Sequence, residues 1–141
     1  MALWAVYSDR HTEVSIGGDR DGLRALATAV ARGEPDALNL DDPPMAWQEA
    51  ERSLRAIHVE PKATAAVRIR FQRDGQVLIM SGQAGELARI LGRSITQLAD
   101  GPAKINTVGA HLHLDPTSDP ERRVYAPDSI SLVIEFSETD D

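Results

Sequence analysis

The chain has 141 residues, no cysteine and a formal net charge of −7. A chain without cysteine has no disulfides, thiol catalysis or thiolate metal sites. An excess of carboxylates disfavours nucleic acid and anionic membranes as partners, because both are polyanions, and favours a basic protein partner. Since no stretch approaches the roughly 20 apolar residues that span a bilayer, and no signal-peptide pattern follows Met1, we expect a cytoplasmic protein.

The first third of the chain predicts a hairpin followed by a helix. Leu3–Tyr7 is apolar, and Thr12–Ile16 alternates between apolar and polar residues, which is typical of paired strands. Beyond two glycines, Asp19–Arg32 is predicted to be an amphipathic helix capped by Asp19 or Asp21. Its apolar residues recur at helical spacing, at Leu23, Leu26, Ala27 and Val30.

Residues 34–52 form an irregular insertion, because prolines interrupt any regular element apart from a short edge strand at Ala37–Leu40. Long loops in compact domains are often functional. Met45 and Trp47 are apolar residues among carboxylates, a composition that suits a contact with a basic partner. Burial of Trp47 under its own loop is the equally weighted alternative. The surrounding carboxylates are Asp36, Asp41, Asp42, Glu49 and Glu51.

The rest of the chain predicts further strands around a second amphipathic helix. Val77–Met80 is apolar on both faces, which places it centrally in a sheet. The predicted elements are a strand at Ile57–Glu60 ended by Pro61, strands at Val67–Phe71 and Val77–Met80, a helix at Ala84–Ala99, strands at Ala110–Asp115 and Ile130–Phe136, and a frayed acidic tail at 137–141.

The order of these elements predicts one α+β domain over residues 1–141. Two runs of strand, strand, helix and strand suggest a ββαβ duplication. We expect a mostly antiparallel sheet with both amphipathic helices packed on one face. The polar residues expected on the open face are His58, Glu60, Arg68, Arg70, His111, His113 and Glu135.

The segment His111–Asp115 is the sharpest local pattern for chemistry. In a strand, His111, His113 and Asp115 share one face, and two imidazoles with a carboxylate can hold a divalent metal. The simpler interpretation is a polar, solvent-facing strand. No nucleophile elbow or phosphate-binding fingerprint is present. We therefore expect no cofactor and no catalytic residues, with a small metal-dependent or ligand-binding enzyme as the alternative.

Two C-terminal stretches carry a family resemblance. Gly109–Asp115 and Tyr125–Ile134 resemble the end of the immunity protein 32 family, whose members are small proteins of bacterial polymorphic toxin systems. Upstream, Val14–Leu26 is similar in layout. The chain departs from the family pattern in the charged loop Pro116–Val124 and in the insertion at 34–52. The resemblance implies that the protein binds and inhibits a toxin without catalysis, and it assigns no contact residues.

These observations leave three functions open. The first is an immunity-type inhibitor that binds a basic toxin. The second is the metal-dependent or ligand-binding enzyme, and the third is a dimer joined through a sheet edge. For the inhibitor, the predicted partner-binding residues are Asp41, Asp42, Met45, Trp47, His111 and His113.

Overall fold

The computed structural model describes residues 1–8, 12–44, 52–63, 66–72, 76–100, 111–114 and 129–136, with the backbone alone at 111–113. The strands are β1 Leu3–Ser8, β2 Glu13–Gly18, β3 Asp36–Asn39, β4 Arg52–Ser53, β5 Ala56–Lys62, β6 Arg68–Gln72, β7 Val77–Gln83, β8 His111–Leu114 and β9 Ser131–Phe136. Helix α1 is Arg20–Ala31, and α2 comprises Ala84–Leu87, a π-helical turn at Ala88–Gly92, and Arg93–Asp100.

The strands form two sheets, one more than the sequence predicts. The five-stranded sheet has the order β4-β1-β2-β9-β8, and the four-stranded sheet has the order β3-β5-β7-β6. Among the described strands only β2–β9 and β5–β7 pair in parallel, so the sheets are mixed but mostly antiparallel. The predicted α+β class is confirmed. The central position of β7, between β5 and β6, is also confirmed.

The same arrangement of strands recurs in both sheets. Each sheet contains a hairpin, β1–β2 or β6–β7, whose second strand leads into a helix. That second strand pairs in parallel with a strand from the other half of the chain, β9 for β2 and β5 for β7. Each sheet therefore contains strands from both halves of the chain. The ββαβ duplication remains a prediction.

One apolar core joins both helices to both sheets. The helices contact each other closely at Gly92, where an added Cβ would lie 3.4 Å from the Cβ of Ala31. Helix α1 packs on β2 and β3, and α2 packs on strands of both sheets. The predicted amphipathic stripes are confirmed. Of the residues predicted for them, Ile90 is half-buried against the core, and the others are buried: Leu23, Leu26, Ala27 and Val30 in α1, and Leu87, Leu91, Ile95 and Leu98 in α2.

Strand β5 runs through Pro61 to Lys62, so the prediction that Pro61 ends it is wrong. On one side β5 pairs with β7 along its whole length. On the other side its pairing with β3 stops at Val59. Pro61 therefore lies where β5 has no β3 partner, and the missing N–H of proline breaks no hydrogen bond to β3.

Asp19 caps helix α1. Its Oδ1 accepts a hydrogen bond from Gly22 N at 2.8 Å, and its Oδ2 accepts one from Ala2 N at 3.0 Å. Burial by itself raises the pKa of this carboxyl, but the hydrogen bonds from Gly22 and Ala2 outweigh it and hold the pKa below the ordinary value of 3.8. Asp19 therefore joins the start of α1 to the residues before β1.

We expect Asp19→Ala to lower the free energy of unfolding by about 1–2 kcal/mol at neutral pH, measured by urea denaturation. Because folding lowers the pKa of Asp19, its contribution is present above pH 3.8 and is lost as the pH falls through the lowered pKa. The difference in the free energy of unfolding between wild type and Asp19→Ala should therefore disappear at low pH. Asp21→Ala, in the same helical turn, is the control and should change stability by less than about 0.5 kcal/mol. A gap that persists at low pH would contradict this account.

Trp4 packs closely against Gly17 on the face of the five-stranded sheet that points away from the core. A Cβ added to Gly17 would lie 2.6 Å from the indole Nε1 of Trp4. Trp4 and Val6 alternate with core residues of β1, yet they are only 1% and 0% exposed. This outer face is therefore covered around β1, in contrast to the open face predicted from the sequence.

We expect Gly17→Ala to destabilise the fold by about 1–3 kcal/mol, because the buried Trp4 ring must move. Thermal or urea unfolding measures this loss. Ser15→Ala, on the same strand and face, is the matched control and should stay within about 0.5 kcal/mol of wild type. Equal stability of Gly17→Ala and Ser15→Ala would show that the packing of Trp4 does not require a glycine at position 17.

Candidate partner-binding surfaces

Asp41 is exposed, but it also has a structural role. Its Oδ2 accepts a hydrogen bond from Leu3 N at 2.9 Å, and its own N–H donates to Leu3 O at 2.8 Å. These two bonds attach the chain after β3 to the beginning of β1. The sequence gives no sign of this contact, because the two residues are far apart along the chain.

Asp42 differs from its neighbour. It is exposed, and within the part of the chain that the structure describes it makes no hydrogen bond or ion pair. The next residue, Pro43, is buried. The carboxylate of Asp42 is therefore available to a partner. Met45 and Trp47, the predicted apolar contacts, lie outside the described residues.

We expect Asp41→Ala to lower the free energy of unfolding by about 1 kcal/mol, because Leu3 N loses its acceptor. Asp42→Ala should change stability by less than about 0.5 kcal/mol. Chemical denaturation of the two variants side by side separates the roles of adjacent carboxylates. Equal losses would mean that the hydrogen bond to Leu3 contributes nothing.

The predicted His111 strand is confirmed as β8, at the edge of the five-stranded sheet. In backbone register His111 lies opposite Glu135 and His113 opposite Val133. Leu114 is partly buried and packs against the core. The imidazoles and Asp115 lie outside what the structure describes, so the metal alternative stays a prediction. Among the described residues no three His, Asp or Glu side chains are grouped to hold a metal ion.

The polar residues predicted to share one open face lie on two sheets. His111, His113 and Glu135 belong to β8 and β9 of the five-stranded sheet, whereas the others belong to β5 and β6 of the four-stranded sheet. The single-face prediction is therefore wrong, because strand alternation assigns a residue to a face but not to a sheet. The residues on the four-stranded sheet are His58, Glu60, Arg68 and Arg70.

We call the side of the four-stranded sheet that points away from the core its outer face. The register aligns Arg70, Ile79 and His58 across β6, β7 and β5, and aligns Arg68, Ser81 and Glu60 beside them. Arg68 and Arg70 are exposed, and His58 is half-buried. Beneath them lies a second apolar cluster, separate from the main core, formed by Ala56, Val77 and Ile79.

The side chain of Arg70 lacks the partners that most arginines on the helices have. The side chains of Arg70 and His58 make no hydrogen bond or ion pair with any described residue. In contrast, four arginines on the helices or at their ends have partners, and only Arg93 of the described helical arginines has none. Arg20 donates to Ala99 O, Arg24 pairs with Asp100, Arg32 pairs with Asp36, and Arg89 pairs with Glu86. The alternation of residues along β6 predicts that Arg70 is exposed. Only the tertiary structure shows that its side chain has no partner among the described residues.

Two segments of the chain match a known protein family. The family model of immunity protein 32 matches residues 13–32 and 88–137, together about half of the chain. The chain belongs to the immunity protein 32 family. The match confirms the resemblance and indicates a toxin-neutralising role. No curated protein and no solved structure matches the chain.

The matched segments of this immunity protein 32 member contain β2, α1, the later part of α2, β8 and β9. The four-stranded sheet is built from residues between the two matched segments. Asp41 and Asp42 also lie between them. Among the described residues no helix is long and apolar enough to cross a membrane.

Proposed function

We propose that this protein neutralises a cognate bacterial toxin by direct contact, without catalysis and without a cofactor. The observation that carries the proposal is the match to the immunity protein 32 family. An inhibitor of this kind acts by occupying a surface, so its chemistry is that of an interface: exposed charge, apolar anchors and shape. We place its action in the cytoplasm.

The net charge of −7 supports a basic toxin as the partner. Opposite net charges speed the encounter of two proteins and keep like-charged competitors away. Asp42 supports the proposal locally, because its carboxylate is exposed and makes no hydrogen bond or ion pair within the described residues. The proposed contact residues are Asp41, Asp42, Met45, Trp47, His111 and His113.

The product of the gene next to the one for this chain is the partner to test. We expect the two purified proteins to form a complex, and the complex to lack the toxic activity of that product. Affinity should fall as salt is raised, because screening weakens attraction between surface charges. Calorimetry at two ionic strengths and a growth-rescue assay give the two readouts. Absence of a complex at micromolar concentration, with growth still arrested, would overturn the proposal.

A charge reversal tests the surface. Asp42→Lys should weaken the complex about tenfold or more, since a like charge would then face the basic partner. Asp21→Lys makes the same charge change at an exposed site on α1, and it should leave the affinity within about threefold of wild type. Equal affinity of both variants would remove Asp42 from the interface, and equal weakening would reduce the effect to net charge.

A further inference from the structure

We propose that the outer face of the four-stranded sheet seats an acidic segment of the toxin, with a carboxylate bound between Arg70 and His58. This inference rests on the proposed function and adds a contact surface to it. The surface is basic although the chain as a whole is acidic, so it recognises a feature that net charge alone does not predict.

The register brings the two side chains to one point. Arg70 and His58 lie on either side of Ile79, each one strand away from it. Neighbouring strands are about 4.8 Å apart, so the two Cα atoms are about 10 Å apart. An arginine and a histidine pointing to the same side can both reach a carboxylate held above Ile79. Neither side chain has a partner among the described residues, so neither would have to break an existing contact in order to bind a carboxylate.

The neighbourhood favours an anion. Arg68 lies two residues before Arg70 on the same strand and face, although it already has an interaction of its own. The nearest acid in the register is Glu60, which already has Lys62 Nζ at 4.0 Å. The apolar side chains on the same face, Val77 and Ile79, are only 9% and 5% exposed, so the neighbouring side chains already cover them. A guanidinium is weakly hydrated and binds carboxylate with two parallel hydrogen bonds, which suits Arg70 to such a surface.

The position of this face in the chain favours a role in choosing one toxin. Discrimination between partners requires features that belong to the individual protein rather than to its whole family. The four-stranded sheet lies between the segments that match the family model, whereas Arg93 of α2 lies inside the second segment. Arg70 is therefore a candidate for recognition specific to this chain.

The basic face also adjoins the acidic residues proposed above. The last residue of β3, Asn39, lies in the same cross-strand row as Ala56 and Val77. Asp41 and Asp42 come after Leu40, and Asp41 is hydrogen-bonded to Leu3 of β1. A basic toxin with one acidic segment would be complementary both to these carboxylates and to the basic face.

The experiment measures the affinity of variants for the product of the neighbouring gene. We expect Arg70→Glu to weaken binding about a hundredfold and His58→Ala about tenfold, with Arg70→Lys falling between wild type and Arg70→Glu. Arg93→Glu makes the same charge change at an exposed helical arginine that has no partner among the described residues, and it should bind within about threefold of wild type. Unchanged thermal unfolding of each variant shows that the fold is intact.

The outcomes separate this inference from the proposed function. Loss of affinity in Arg70→Glu but not in Arg93→Glu supports the inference. Wild-type affinity in Arg70→Glu overturns it and leaves the toxin-neutralising role standing. Equal losses in both variants also overturn it, because net charge then explains the effect. Failure of the wild-type protein to bind overturns the proposed function and this inference together.

Discussion

The burial of one apolar core by two sheets at once is the constraint on which the rest of this structure depends. Each helix has a single apolar stripe, and the main core draws on both helices and both sheets. The two sheets meet through the stacked rings of Tyr7 and Phe71, 4.2 Å apart. Ile130 N–H also donates to Ile69 O just before β9 enters the five-stranded sheet. Because the inner faces of both sheets are buried in the core, a partner can bind only to the helices, the sheet edges and the outer faces of the sheets.

The elements with local signals were predictable. The helices follow from the spacing of their apolar residues, β7 from its apolar residues on both faces, and the end of α1 from Gly33, whose φ is +78°. The division into two sheets was not predictable, because a strand's pattern shows which side is buried but not which strand pairs with it. The prediction that Pro61 ends β5 is wrong for the same reason. Proline interrupts a strand only where its missing N–H would have bonded to a neighbouring strand, and β3 does not extend that far.

The candidate surface shows a similar division. Composition and alternation indicate that Asp41, Asp42 and Arg70 reach the surface, and this part needs no coordinates. Tertiary contacts then distinguish them. Asp41 is bound to Leu3 and contributes to the fold, whereas Asp42 and Arg70 have no partner among the described residues. A residue's availability for binding depends on neighbours that are distant in the chain, so only the folded arrangement reveals it.

The exchange of strands between the halves has a consequence for biogenesis. Glu13 of β2 pairs with Ser131 of β9, so the middle of the five-stranded sheet forms only after β9 has been made. At about 5–20 residues per second, translation from Glu13 to Ser131 takes about 6–24 seconds. Until then the hairpin β1–β2 lacks its neighbour, and incomplete chains expose an apolar edge. The five-stranded sheet, and any binding that depends on it, would therefore be complete only once β9 has been made and has paired with β2.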